Sequence, residues 1–288
     1  MRAGETSPRQ AAALTARWTG VAAAAFLLVN LPSLLLDGPS RWADGVSTVL
    51  TQHVAPQGLG PVDISYYLTD GTGALGYYSA AALALLLATL ALLGLHPRRL
   101  GPALAALPWP AFFLSARSTE TYFMLLAPLW LVGFACLDQD ALARAYQWRP
   151  PLLRRRQVRL ALPAVLGLPA AALLLTAIAS PPPLTLRPTA YTSSGSRGVT
   201  TISVTLQNRT GTALRPAFGT SSDAWADFHW RIVSGPAVLA PHATAHYRLR
   251  HTGTGAFRLN PSGASYLRVL SDAPMTLTNI PFAGRPKG

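Results

Sequence analysis

Apolar residues are arranged in two different ways along this chain. As far as Ser180 they form long blocks rich in Leu and Ala; beyond it they are short and interleaved with Thr, Ser, Gly and Arg. The run Pro181-Pro182-Pro183 marks the change, because consecutive prolines cannot continue a helix. Crossing about 30 Å of hydrocarbon takes about 20 predominantly apolar residues. Trp18–Leu36, Tyr77–Leu95 and Leu160–Ala179 meet that requirement. The first block follows a basic leader with Arg2, Arg9 and Arg17, but it is longer than a signal-peptide core and no A-x-A site follows it. It reads as an uncleaved span.

Two shorter apolar blocks, Leu100–Ser115 and Tyr122–Leu137, flank the polar tip Arg117-Ser118-Thr119-Glu120. Each limb is about 22–26 Å long as helix, so the pair is either two short spans or a crossing with a re-entrant loop. Charge separates these options. Cytoplasmic loops collect Lys and Arg. His96-Pro97-Arg98-Arg99 follows the second span, and Arg144, Arg149, Arg154, Arg155, Arg156 and Arg159 precede the last. Two inside loops require an even number of crossings between them, as a two-span hairpin provides. Asp37, Asp44, Asp63 and Asp70 against the single Arg41 suit an outside loop. The expectation is residues 1–17 inside, an α-helical membrane bundle of five spans over 18–179, and residues 180–288 outside.

From Leu184 the period is two. Thr201-Ile202-Ser203-Val204-Thr205-Leu206 alternates strictly, which predicts a strand with one buried face. Ala213–Phe218, Phe228–Val233, Ala245–Arg250, Ala256–Leu259, Ser265–Leu270 and Met275–Ile280 are further candidates, separated by Gly-, Pro-, Asn- and Asp-rich turns. Short strands at this spacing predict an all-β antiparallel sandwich, Ig-like in outline. Trp225, Trp230, Tyr247 and Tyr266 would supply its bulk.

Composition narrows the function classes. The chain is 50% hydrophobic and 12% charged, with a net charge of +13 that is almost entirely arginine, Lys287 being the sole lysine. The arginines flank spans or spread over strands, with no basic helix or aromatic RNA-binding signature, so nucleic acid is not the expected partner. Cys136 is the only cysteine, which excludes an intrachain disulfide. His229, His242, His246 and His251 read as scattered strand and surface residues; Asn208-Arg209-Thr210 reads as a turn. No metal and no cofactor is expected.

Charged groups near hydrocarbon are the first candidates for function. Arg117 and Glu120 stand out at the hairpin tip. Either they pair and are structural, or Arg117 holds a phosphate, which suits the guanidinium fork. Arg41, with Trp42, reads as an interfacial anchor. Asp44 and Asp63 are weak candidates for a general base, serving only if a substrate lies beside them.

The hairpin from Pro108-Trp109-Pro110 through Arg117-Ser118-Thr119-Glu120-Thr121-Tyr122-Phe123 to Leu126-Ala127-Pro128-Leu129 resembles a late segment of GT-C superfamily glycosyltransferases. Asn30-Leu31-Pro32-Ser33 with Pro39 and Trp42 is similar to a preceding span and loop. The composition looks like that of a high-GC actinobacterial sequence. The resemblance covers roughly residues 18–137 and implies a multi-pass enzyme of the outer face that uses polyprenyl-phosphate-linked sugar. It implies carrier-phosphate contact by Arg117 and Tyr122, supported by Glu120 and Arg41. The family's catalytic acid lies in its first outer loop, whereas the loop holding Asp37 and Asp44 resembles a late one. The likeness is therefore to a C-terminal half, either a truncated gene product or a stand-alone remnant, inactive by itself, with a partner chain supplying further spans. The alternative is a non-enzymatic envelope protein whose membrane anchor presents the sandwich to glycan or protein.

Overall fold

The computed structural model describes residues 6–43, 57–101, 108–118, 120–148, 150–151, 155–194, 198–222, 225–260 and 265–282. Helix α1 spans Pro8–Leu36 and starts well ahead of Trp18. The reason is local. Ser7 Oγ accepts from the Gln10 amide at 3.2 Å, and Gln10 Oε1 accepts from the Ser7 amide at 3.0 Å, a capping box with Pro8 in the first turn. None of the α1 side chains is buried. After Asp37 the chain turns back through a helical stretch at 38–43, where Trp42 Nε1 donates to Asn30 Oδ1 at 3.1 Å and the indole meets Phe26 edge-on.

Further helices include α2 (Gly76–Leu95), α3 (Pro108–Leu114), α4 (Glu120–Ala135) and α5 (Arg156–Ala179), with short ones at Pro97–Leu100 and Gln139–Arg144. Among the described residues, α1, α2 and α5 are long and apolar enough to cross a membrane. The 16 residues of α4 give about 24 Å of helix.

The chain forms two compact units, one of Met1–Gln52, Leu87–Leu107 and Leu126–Val165, the other of His53–Leu86, Pro108–Leu125 and Leu166–Gly288. In the first, three segments distant in sequence are tied by hydrogen bonds. The Thr6 amide donates to Arg144 O at 3.0 Å, Arg98 Nε and Nη2 donate to Ala145 O at 3.1 and 3.0 Å, and Gln147 Nε2 donates to Leu95 O at 3.1 Å.

The second unit contains all of the described strands. Strands β4 (Leu184–Ser194), β5 (Gly198–Asn208), β8 (Trp230–Ser234), β9 (Thr244–His251) and β10 (Phe257–Arg258) form one antiparallel sheet. β6 (Ala217–Ser222), β7 (Trp225–Asp227), β11 (Ser265–Asp272) and β12 (Met275–Pro281) form another, with β2 (Gly71–Thr72) added at its edge. Their inward residues share one core, with Ile202, Val204, Leu206 and Leu249 from the first sheet and Phe218, Leu267 and Val269 from the second. Trp230 and Tyr247 belong to it, whereas Tyr266 is only half-buried. The expected strands at 201–206, 245–250, 256–259, 265–270 and 275–280 all form. The run at 213–218 contributes a single bridge, Leu214 to Leu239, before β6 begins at Ala217.

Asn208 explains the turn after β5. It is 1% exposed; its Nδ2 donates to the carbonyls of Thr212 at 2.7 Å and Ala240 at 3.1 Å, while Oδ1 accepts from the Thr210 amide at 2.9 Å. Asn208-Arg209-Thr210 is thus an Asx turn built on a buried asparagine.

The β region is not confined to residues beyond 180. Gly71 and Thr72, from the loop before α2, pair antiparallel with Thr278 and Leu277 of β12. Gly71 has φ +118, and a Cβ there would collide with the Leu277 carbonyl, so glycine is what lets the two backbones meet.

Candidate functional site

The loop before α2 is seated on the second sheet through a five-residue π-turn, Ile64–Leu68, with Asp63 at its start. Backbone carbonyls at the end of such a turn lack internal partners, and two strands supply them. Arg268 of β11 and Asn279 of β12 are directly opposite in register. Arg268 Nη1 donates to Tyr66 O, and Asn279 Nδ2 donates to Ser65 O at 2.7 Å, Tyr66 O at 3.2 Å and Thr69 O at 3.3 Å.

Arg268 has no exposed surface. Its guanidinium lies 3.1 Å from the Tyr66 ring centroid and about 5 Å from those of Tyr67 and Tyr266, and Nε donates to Ser221 Oγ at 2.8 Å. Burial lowers its pKa to about 10 against the opposing pull of the tyrosines and Asp63, so it is a cation at neutral pH. A cation at the C-terminal end of a turn and a carboxylate at its start both complement the peptide dipoles. Asp63 has its carboxyl raised by burial, with Arg268 pulling the other way. Asp63 Oδ1, Tyr66 Oη, Ser118 Oγ and Arg268 Nη2 are buried without a hydrogen-bond partner among the described residues.

The hairpin tip belongs to the same unit. β3 (Arg117–Ser118) pairs in parallel with β1 (Gln57–Gly58), and the Leu59 amide donates to Ser118 O at 2.7 Å. Gly60 lies against the Phe113 carbonyl, with no room for a Cβ. Ala116 and Ser118 face inward while Arg117 is exposed. Trp109 of α3 and Phe123 of α4 meet edge-on at 6.0 Å.

The residues singled out in the sequence therefore separate. Arg117 and Glu120 are both exposed and form no ion pair with each other. Tyr122 is on α4. Arg41 is exposed in the turn after α1, and Asp44 lies outside the described residues. Asp63 is half-buried beside Arg268 rather than open to solvent.

A further cluster joins the two sheets. Asp227 of β7 receives His251 Nε2 of β9 at 2.7 Å through Oδ2; through Oδ1 it meets His229 Nδ1 at 2.8 Å and accepts the His229 amide at 2.9 Å. His251 Nδ1 meets Gly255 O at 3.0 Å. Both nitrogens of this buried ring thus face acceptors. Burial opposes ionisation of Asp227, but the bonds from His229 and His251 outweigh it and hold the carboxyl below its ordinary range. Among the described residues no group of His, Cys, Asp and Glu is arranged to hold a metal ion. Compared with protein-family models, curated proteins and solved structures, the chain gives no match.

Proposed function

We propose that this chain is a five-span envelope membrane protein, glycosyltransferase-like, that holds polyprenyl-phosphate-linked sugar at the outer face through Arg117. The observation that carries it is the β1–β3 pairing, which ties the Arg117 tip to the acidic loop while leaving its guanidinium exposed. The same pairing supports the span count. The loop at 57–72 is bonded both to the hairpin tip and to β12, which supports a reading in which these segments share one side of the bilayer. The N-terminus, the Arg98 turn and residues 144–147 are bonded together and carry the basic excess of an inside face. On this reading the chain crosses twice between the basic segments at Arg98 and Arg144, which with α1, α2 and α5 gives the proposed five. The two-sheet region is the outer sandwich.

Arg117 offers a phosphate a charge-assisted fork, and Trp109 with Phe123 offers an isoprenoid chain an aromatic wall within the hairpin. No general base is assigned: Asp63 is half-buried beside Arg268 rather than open to a substrate. The role is holding or positioning the lipid-linked sugar, not turnover by this chain alone. Binding of a polyprenyl phosphate to the full chain in nanodiscs tests this reading. Arg117→Ala should weaken binding at least tenfold, about 1.4 kcal/mol, whereas Glu120→Gln should not. Equal affinity of the Arg117 variant and the parent would remove the phosphate role. The second reading, an anchor presenting the sandwich, draws support from the Arg268 and Asn279 fastening, which builds the loop into the β region.

A further inference from the structure

The outward face of the β4-β5-β9-β10-β8 sheet carries a charge pattern that the lipid-carrier reading does not use. Arg187 on β4, Arg231 on β8, and Arg248 and Arg250 on β9 are all exposed. Register sets them in rows: Arg187 opposite Thr205 and then His246, Arg248 beside Ser203, and Arg250 between Thr201 and Arg231. Thr205 Oγ1 and His246 Nδ1 are 2.7 Å apart. None of the five strands contains an Asp or Glu, and among the described residues none of the four arginines forms an ion pair.

This is an unfavourable arrangement for a free sheet. Like charges directly opposite one another, as Arg231 and Arg250 are, destabilise a strand pair, and acidic neighbours would relieve them. Flat geometry adds regularity, with cross-strand neighbours about 5 Å apart and alternate residues of one strand about 7 Å apart. Guanidinium forks at such intervals, with Thr and Ser hydroxyls between them, match repeating anions that alternate with sugar or polyol hydroxyls.

We propose that this sheet face is a docking surface for an anionic envelope glycopolymer, its phosphate or carboxylate groups on the arginines and its hydroxyls on Thr201, Ser203 and Thr205. A bilayer surface is a poorer occupant, because the rows interleave arginine with hydroxyls rather than with the exposed aromatic or Leu side chains that insert among lipids. The assignment is independent of Arg117.

The test uses the full chain in neutral-lipid nanodiscs with four probes: poly(glycerol phosphate), polygalacturonate, neutral dextran and phosphatidylglycerol vesicles. Binding of one or both anionic polymers, and not of dextran, is expected. The combined variant Arg231→Ser, Arg248→Ser, Arg250→Ser should lose at least tenfold in affinity. The slope of log K against log salt should flatten by about 2, taking about 0.7 per neutralised charge. Its melting temperature should stay level or rise, since like-charge contacts are relieved. Arg155→Ser, Arg156→Ser, Arg159→Ser matches the charge change and should bind as the parent does. Absence of polymer binding, unaltered binding by the sheet variant, equal loss in the control variant, or preference for the vesicles would each overturn the proposal.

Discussion

Replacing Arg268 tests the central packing argument. Arg268→Ala removes the donors that reach Tyr66 O, Ser221 Oγ and Asn279 Oδ1 and the cation stacked on Tyr66. Hydrogen bonds to a charged group contribute about 1.5–3 kcal/mol each, and a desolvated cation–π contact about 2 kcal/mol. Burying the guanidinium costs several kcal/mol in the opposite sense. Together with the cavity left by the side chain, the net loss is about 3–5 kcal/mol, the range for breaking a buried charge arrangement. Arg268→Met restores volume without a charge, so it should lose less than half as much. Hydrogen exchange on the detergent-solubilised full chain is the assay. Amides of Thr69, Leu75 and Asn279, bonded to Ile64, Met275 and Asp70 respectively, should exchange faster in Arg268→Ala, while those of β5 and β9 change least. Unchanged protection at Thr69 and Asn279 would refute the view that Arg268 seats the loop. Equal losses for Ala and Met would show that the charge and its hydrogen bonds matter and the filled volume does not.

Three other outcomes follow from the same structure. Burial pushes the Tyr66 phenol up to about 12, so its contribution is complete below pH 10 and is lost as pH rises from about 10 to 12. The loss is on the order of 2–3 kcal/mol, and unfolding curves of Tyr66→Phe should lack it. Asp227, held low by its histidines, stabilises above its unfolded pKa and loses that contribution as pH falls through the folded value. Asp227→Asn should therefore be less stable at pH 7 by about 1–2 kcal/mol, with the gap closing in acid; a pH-independent gap would contradict this. In a Cys136→Ser background, an impermeant thiol reagent on intact cells should label Ser234→Cys and not Arg144→Cys. The reverse pattern would invert the orientation.

How much of this was legible beforehand depended on whether a signal was local. The long Leu- and Ala-rich blocks announced α2 and α5 by their length, and strict alternation announced β5 by its one buried face, because each signal is complete within its own segment. Helix α1 began earlier than hydrophobicity implied, since a capping box rather than apolar content sets its start. Arg268 was not legible. Period two places it with Tyr266 and Leu270 on a face that reads as solvent-exposed, and only the loop arriving from about 200 residues upstream buries it. A strand apolar on both faces with one arginine, as Leu267-Arg268-Val269-Leu270 is, was the available clue. The Asp227 cluster was equally hidden, because Asp227 and His251 lie on strands of different sheets and His229 in the link between β7 and β8. Arg117 was singled out as a charge near hydrocarbon and Asp63 as a weak candidate for a general base, but sequence could not tell that one faces out and the other is half-buried.

The contribution of β2 to the second sheet also decides where this chain can be divided. The proline run after α5 looks like a natural place to cut. Releasing residues 184–288 there would strip β12 of its neighbour at the Gly71 register and leave Arg268 and Asn279 facing water. An uncovered strand edge invites pairing with another copy. A fragment that keeps residues 57–75 joined to the β strands should remain monomeric, whereas one that begins at β4 should self-associate.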